Sequence, residues 1–195
     1  SKKFKNMIGA FKQPKAVLID TYFLKSLSKR LMAAGYSEII KHALIDDIRL
    51  LSKLERFGGK LEKRTDYIEL TDLIKISSKI KAKIVEQDEE EKSVRAHLNF
   101  GHTYAHAIES VQSFRGLNHG EAVGIGMLCA AKLSFLLKKL TVKEFNRVMG
   151  VIKKFKLPTK LPSNCEPQKI LKAMELDKKN KNNNLRFIIL NGLGK

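Results

Sequence analysis

From about Phe23 to Leu54, apolar residues recur in steps of three and four: Leu24 and Leu27, then Ile40, Leu44, Ile48, Leu51 and Leu54. A helix turns about 100° per residue, so this spacing lines them up on one face. A chain dominated by such a pattern must fold as helices packed on one another. The period returns after the break Phe57-Gly58-Gly59-Lys60, where Ile68, Leu73, Ile76, Ile80 and Ile84 predict a helix from Tyr67 to about Glu86. Arg95 to Glu109 is a third helical candidate. Glu121 to Leu137 is a fourth, and its alanines and glycines permit close packing. Weaker helices are expected over Phe145 to Phe155 and Gln168 to Lys178, on either side of a proline-marked loop from Leu157 to Pro167.

Two stretches read as strands: Ala16-Val17-Leu18-Ile19-Asp20 near the start and Leu185-Arg186-Phe187-Ile188-Ile189-Leu190 near the end. A lone strand is poorly stable, so each must pair with something. The fold class is therefore mainly α with short terminal strands. A chain of 195 residues can bury such a core without disulfides. Cys129 and Cys165 have no further cysteines with which to form a metal knuckle and read as reduced, structural thiols.

No apolar run approaches the roughly 18 residues of a membrane span. The basic start Ser1-Lys2-Lys3-Phe4-Lys5 leads into no apolar stretch, so the expected compartment is the cytoplasm. Thirty-eight Lys and Arg against 20 Asp and Glu give a net charge of +18, which implies attraction to anions. Nucleic acid or a phosphorylated, carboxylated metabolite would fit. The lysines are spread along the chain without interleaved aromatics, so most of the excess is read as solvated surface.

Arg95, Asn99, His102 and His106 fall within about 60° of one another on a continuous helix and form one polar stripe. Two histidines four residues apart can share a metal ion, or they can hydrogen-bond at a solvated face. Gly101 inside this stripe would cost a helix interior about 1 kcal/mol relative to alanine, which points to close approach of a ligand or a second helix. His119-Gly120-Glu121 adds a third histidine before the small-residue helix. Glu38 and Lys41 lie one turn apart, the spacing of a surface ion pair.

Taken in order, several motifs resemble those of 3-dehydroquinate synthases. They are Asn6-Met7-Ile8-Gly9-Ala10-Phe11-x-Gln13-Pro14-Lys15-Ala16-Val17, Glu38-Ile39-Ile40-Lys41, Lys81-Ala82, Asn99-Phe100-Gly101-His102-Thr103-x-x-His106-Ala107-Ile108-Glu109 and His119-Gly120-Glu121-Ala122-Val123. The resemblance implies a divalent metal, Zn2+ or Co2+, held by Glu38, His102 and His119. It moves His106 from ligand to a hydrogen-bonding or proton-relaying group beside the substrate, with Lys41 and Asn99 also catalytic. Lys5, Asn6, Lys41, Lys81, Arg95, Asn99 and Lys178 match positions that bind a small anionic sugar-acid phosphate, and the choice of Lys178 over Lys179 is the weakest of these matches. Lys5 and Phe23, Leu24, Lys25 and Ser26 match a stretch that lies against NAD+.

The implied reaction oxidises a ring hydroxyl transiently with NAD+, eliminates phosphate, returns the hydride and closes the ring to 3-dehydroquinate. The glycine-rich turn of the family's nucleotide domain does not occur in these residues. Residues 1–22 are thus expected to be the end of a preceding α/β NAD-binding domain that the chain otherwise lacks. Residues 23–195 are expected to form the helical metal- and substrate-binding domain, inactive alone and homodimeric in the full enzyme. The rival readings are another sugar-phosphate cyclase, an iron-type alcohol or glycerol dehydrogenase, and a basic nucleic-acid-binding module. The last has no use for the Glu38, His102 and His119 set, and neither nucleic acid nor a membrane is expected as a partner.

Overall fold

A computed structural model describes residues 12–60, 64–180 and 185–195, with side chains described for 12–60, 66–176 and 185–195. A 3-10 helix over Thr21–Ser26 leads into α1 (Lys29–Ile45), α2 (Ile48–Phe57) and α3 (Arg64–Gln87). A second 3-10 helix, Val94–Asn99, precedes α4 (His102–Val111), α5 (His119–Leu136), α6 (Val142–Lys154) and α7 (Pro167–Asn180).

The first apolar stretch is broken into pieces by residues that satisfy helix ends. Ser28 Oγ accepts the Leu31 N–H to start α1, and Asp47 accepts from the N–H groups of Arg49 and Leu50 to start α2. Helix α2 stops at Gly58, whose φ of 64° returns its N–H to the Leu54 carbonyl. The stretch expected as one helix from Arg95 to Glu109 is likewise two elements. Phe100 and Gly101 interrupt it, Gly101 with a φ of 80°.

Helix α1 is central and packs against α5, α2, α3 and α6, while α4 lies between α5 and α7. Ile40, Leu44, Leu50, Leu51, Leu54, Leu70 and Leu73 are fully buried where the first three helices meet. Truncating any of these leucines or this isoleucine to alanine costs about 2–5 kcal/mol through lost burial and the cavity left behind.

The small residues of α5 set how closely its neighbours approach. A Cβ on Gly126 would stand 2.1 Å from the Gly101 carbonyl oxygen, and one on Gly120 would stand 2.2 Å from that of Ala34. Backbone occupies both places, so α5 lies against α4 and α1 without intervening side chains.

Neither expected strand forms among the described residues. Residues 16–20 carry no ladder among the described residues, and Leu18 is 96% exposed. Residues 185–190 bond to side chains instead. Thr103 Oγ1 donates to the Arg186 carbonyl, the Leu190 N–H donates to Ser134 Oγ, and Phe187 packs 5.2 Å from the Tyr104 ring. Cys129 and Cys165 are free thiols, both with pKa raised first by burial.

Candidate functional site

Three elements converge on one cavity. Glu38 and Lys41 come from the middle of α1, His102 is the first residue of α4, and His119 is the first residue of α5. Helix α5 begins there because Asn118 and Glu121 cap each other's backbone N–H groups, at 2.9 Å in both directions. Glu121 also takes a bidentate hydrogen bond from Arg30, with two contacts of 2.6 Å, which ties the start of α5 to α1.

Glu38 Oε1 lies 3.7 Å from His102 Nε2 and 3.9 Å from His119 Nε2. The three ligand atoms all fall within 4.8 Å of one another. Metal bonds of about 2.1 Å in a tetrahedral arrangement place ligand atoms roughly 3.4 Å apart, so this set needs little adjustment to enclose an ion. Glu38 Oε1 is buried and has no hydrogen-bond partner among the described residues, whereas Oε2 takes a hydrogen bond of 2.5 Å from Lys41 Nζ. One oxygen is thus committed to the ammonium, and the other faces two imidazoles. Nitrogen and oxygen donors of this kind suit zinc or cobalt.

The far sides of both imidazoles are also held. His119 Nδ1 is 3.1 Å from Glu109 Oε1, and His102 Nδ1 is 3.3 Å from the Phe100 carbonyl. Such partners fix which ring nitrogen carries the proton and leave Nε2 available. Glu109 was not singled out in the sequence as a functional group. Its place in the apolar run Ala107-Ile108-Glu109 was the signal, since a buried carboxylate needs a partner.

Burial lowers the His102 pKa to about 4, reinforced by the Lys41 cation, so the ring is neutral and fit to bind a metal. For Glu38, burial pushes the pKa up, but the charge and hydrogen bond of Lys41 outweigh it and hold the group ionised. Lys41, only 3% exposed, has its pKa lowered by burial, while its pairing with Glu38 opposes the shift. The spacing of Glu38 and Lys41 suggested a surface pair; the fold buries the cation.

Beside this centre lies a cavity of about 410 Å3. Lys41, Lys81, Arg95 and Asn99 line it, and so do Glu38, His102 and His119. Arg95 and Asn99 do not share a helix with the histidines, as a continuous stripe would require. They reach the cavity from the second 3-10 helix, which Asp88 anchors by accepting the N–H groups of Lys92, Ser93 and Arg95 at 2.9, 2.7 and 3.0 Å. The Arg95 guanidinium donates to the Glu89 carbonyl, and Asn99 Nδ2 donates to Glu91 Oε1 at 2.5 Å.

His106 stands one turn beyond His102, its ring centroid 5.5 Å from that of His102 and 6.3 Å from that of His119. It flanks the cluster without lining the cavity. Glu91 and His42 do line it, and neither residue's role was legible, Glu91 being one of a run of acids and His42 one residue past the recognised motif.

Phe23, Leu24, Lys25 and Ser26 sit on the first 3-10 helix, away from this cavity. Leu24 and Lys25 line a different one, of about 740 Å3. Lys5 and Asn6 lie outside the described residues, as does the side chain of Lys178.

A helical domain that aims one glutamate and two histidines at a common point, beside a cavity lined by Lys41, Lys81 and Arg95, has the donor set of the proteins that can hold a divalent ion. The family profile of the 3-dehydroquinate synthase C-terminal domain matches residues 35–180, and that of the N-terminal domain matches residues 1–34. The chain belongs to the 3-dehydroquinate synthase family.

It is 45% identical over 185 residues to the 3-dehydroquinate synthase of Pseudoalteromonas translucida, covering 95% of this chain and 52% of that protein. Over 195 residues it is 43% identical to the enzyme of Thermoanaerobacter pseudethanolicus, covering all of this chain and 54% of the relative. The chain thus spans about half the length of these relatives. Among solved structures it resembles 2-epi-5-epi-valiolone synthase from Streptomyces hygroscopicus, crystallised with NAD+ and Zn2+, with a TM-score of 0.87 and 27% identity over 98% of this chain and 53% of that one. A 2-deoxy-scyllo-inosose synthase matches with a TM-score of 0.77 and 26% identity over 98% of this chain and 51% of that one. Among the described residues, no helix is long and apolar enough to cross a membrane.

Proposed function

We propose that the chain is the metal- and substrate-binding half of a 3-dehydroquinate synthase, a lyase that converts 3-deoxy-D-arabino-heptulosonate 7-phosphate to 3-dehydroquinate in the cytoplasm, on the route to the aromatic amino acids. The observation that carries this reading is the buried, unpartnered Glu38 Oε1 facing His102 and His119 at the edge of a cavity lined by Lys41, Lys81 and Arg95.

Glu38, His102 and His119 would hold Zn2+ or Co2+. When bound, such an ion polarises a substrate hydroxyl and the carbonyl formed from it, with NAD+ as the transient oxidant. The residues of this chain supply charge and position. Arg95 and Lys81 take up the carboxylate and phosphate charge, and Arg95 can do so with two parallel N–H donors. Lys41 has three donors, one of them given to Glu38, and directs the others to substrate oxygens. Asn99, braced by Glu91, orients the ring hydroxyls. His106, beside both metal-facing imidazoles, accepts and returns the proton that elimination requires. Lys5, Asn6 and Lys178 are proposed to complete the anion site.

Residues 1–22 are read as the end of the NAD-binding domain, which pairs with the helical part in a homodimeric enzyme. The exposed apolar run Val17-Leu18-Ile19 supports this, since an apolar segment with strand-like composition calls for a neighbour to cover it.

Metal content tests the reading. The unaltered protein is expected to bind one Zn2+ by atomic absorption, and Glu38→Ala, His102→Ala and His119→Ala are each expected to lose it. Stoichiometric metal in all three variants would show the ligand set to be wrong.

A further inference from the structure

We infer that His42 is a ligand-positioning residue of this cavity, donating an Nε2–H hydrogen bond to an anionic oxygen of the bound sugar phosphate and held in that tautomer by Ser77. The inference rests on the function proposed above and adds a contact that the recognised motifs do not contain.

His42 follows Lys41 on α1, is 4% exposed and lines the same cavity as Lys41 and Lys81. Its Nδ1 stands 2.7 Å from Ser77 Oγ of α3, itself only 6% exposed. Its Nε2 is buried and has no hydrogen-bond partner among the described residues. A buried polar group left in that state costs about 1–3 kcal/mol, a cost that a bound partner removes.

Ser77 decides which partner is needed. Its hydroxyl makes no other hydrogen bond among the described residues, so the one acceptor it meets is His42 Nδ1. The hydroxyl therefore donates, Nδ1 accepts, and in the neutral ring the proton sits on Nε2. A ring nitrogen that carries a proton cannot ligate a metal, which separates His42 from His102 and His119. It needs an acceptor instead.

Lys41, Lys81 and Arg95 offer none, being donors only. Of the two carboxylates lining the cavity, Glu38 is engaged with Lys41 and faces the histidine pair, and Glu91 accepts from Asn99. Asn99 Oδ1 is a further side-chain acceptor of this lining, and its amide is held by Glu91; a ligand drawn into a cationic cavity brings carboxylate or phosphate oxygens that His42 can reach as acceptors. His42 then supplies a neutral donor among the cations. Such a donor adds direction without adding repulsion to a wall that is already positive.

Calorimetric titration of the Zn2+-loaded protein with 3-deoxy-D-arabino-heptulosonate 7-phosphate tests this. His42→Leu is expected to weaken binding about tenfold, the effect of losing one hydrogen bond to a charged group, while leaving Zn2+ affinity unchanged. His42→Gln keeps an N–H at similar reach and is expected to bind within about threefold of the unaltered protein. Ser77→Ala frees the tautomer and should fall between the two.

Repeating the series with the dephosphorylated sugar acid locates the contact. A loss on both compounds places it at the carboxylate, and a loss on the phosphorylated one alone places it at the phosphate. Equal losses in His42→Leu and His42→Gln would mean that only packing is at stake, and unchanged binding in His42→Leu would remove the contact altogether; either overturns the inference. If the unaltered protein binds neither Zn2+ nor the sugar phosphate, the proposed function itself fails and this inference with it, a result visible before any substitution is made.

Discussion

The carboxylate of Glu38 serves two masters, and the buried ammonium of Lys41 depends on it as much as any metal would. Replacing it by an amide leaves the Lys41 charge in a site where it is 3% exposed and without a counter-charge. Breaking a buried pair from one side costs about 3–5 kcal/mol. Because the Glu38 side chain is 38% exposed, the lower end of that range applies. Glu38→Gln is therefore expected to lose metal and about 3 kcal/mol of stability in urea unfolding. Adding Lys41→Met is expected to restore most of the stability and none of the metal. If the double variant were no more stable than the single one, the pairing would not be what holds Lys41 in place.

Individual elements decide where these groups can go. Helices α4 and α5 meet with glycine against backbone: a Cβ at Gly101 would lie 2.7 Å from the Met127 nitrogen, and one at Gly126 2.1 Å from the Gly101 oxygen. Gly126→Ala must push α5 away from the Gly101 backbone, the residue that precedes His102 at the start of α4. It is expected to lower Zn2+ affinity at least tenfold with helix content preserved, measured by competition with a chromogenic chelator and by circular dichroism.

The second 3-10 helix depends on Asp88. Backbone donation from Lys92 comes first among the causes that hold the Asp88 pKa below the usual carboxylate range, with Ser93 and Arg95 adding to it against some opposing burial. A carboxylate with a lowered folded pKa contributes stability above its unfolded pKa, and that contribution is lost as the pH falls through the folded value. Amide exchange protection at Ser93 and Arg95 is expected to hold at neutral pH and to decline below about pH 4. In Asp88→Asn it should be weak throughout, and protection equal to the parent's would deny Asp88 this role. The stripe from Arg95 to His106 misjudged this region. Periodicity counts residues, but it does not register that one aspartate gathers three N–H groups and that Gly101 turns the chain at a positive φ.

At the scale of the whole molecule, the chain carries the proposed metal and anion site and an exposed apolar segment at residues 17–19. It covers about half of the family members it matches. The 195-residue chain is expected to bind Zn2+ and yet release no phosphate from the heptulosonate phosphate, even with NAD+ added. Phosphate release at an ordinary enzymatic rate in a coupled assay would contradict the division of labour proposed here. Much was legible before folding. The helical class followed from three- and four-residue spacing, the close packing of α5 from its glycines, and the trio Glu38, His102 and His119 from motifs that lie far apart in the chain. The first two are local signals, written in residue type and interval; the trio came from the family resemblance, since spacing alone paired His102 with His106. What only the tertiary structure decided was burial and orientation. It buried Lys41, placed Glu109 behind His119, split the Arg95 to Glu109 stretch and, among the described residues, left 16–20 and 185–190 without a ladder and set His42 against Ser77 with one nitrogen unpartnered. Each depends on groups brought together from distant parts of the chain, and no interval in the sequence encodes the distance or solvent exposure that results.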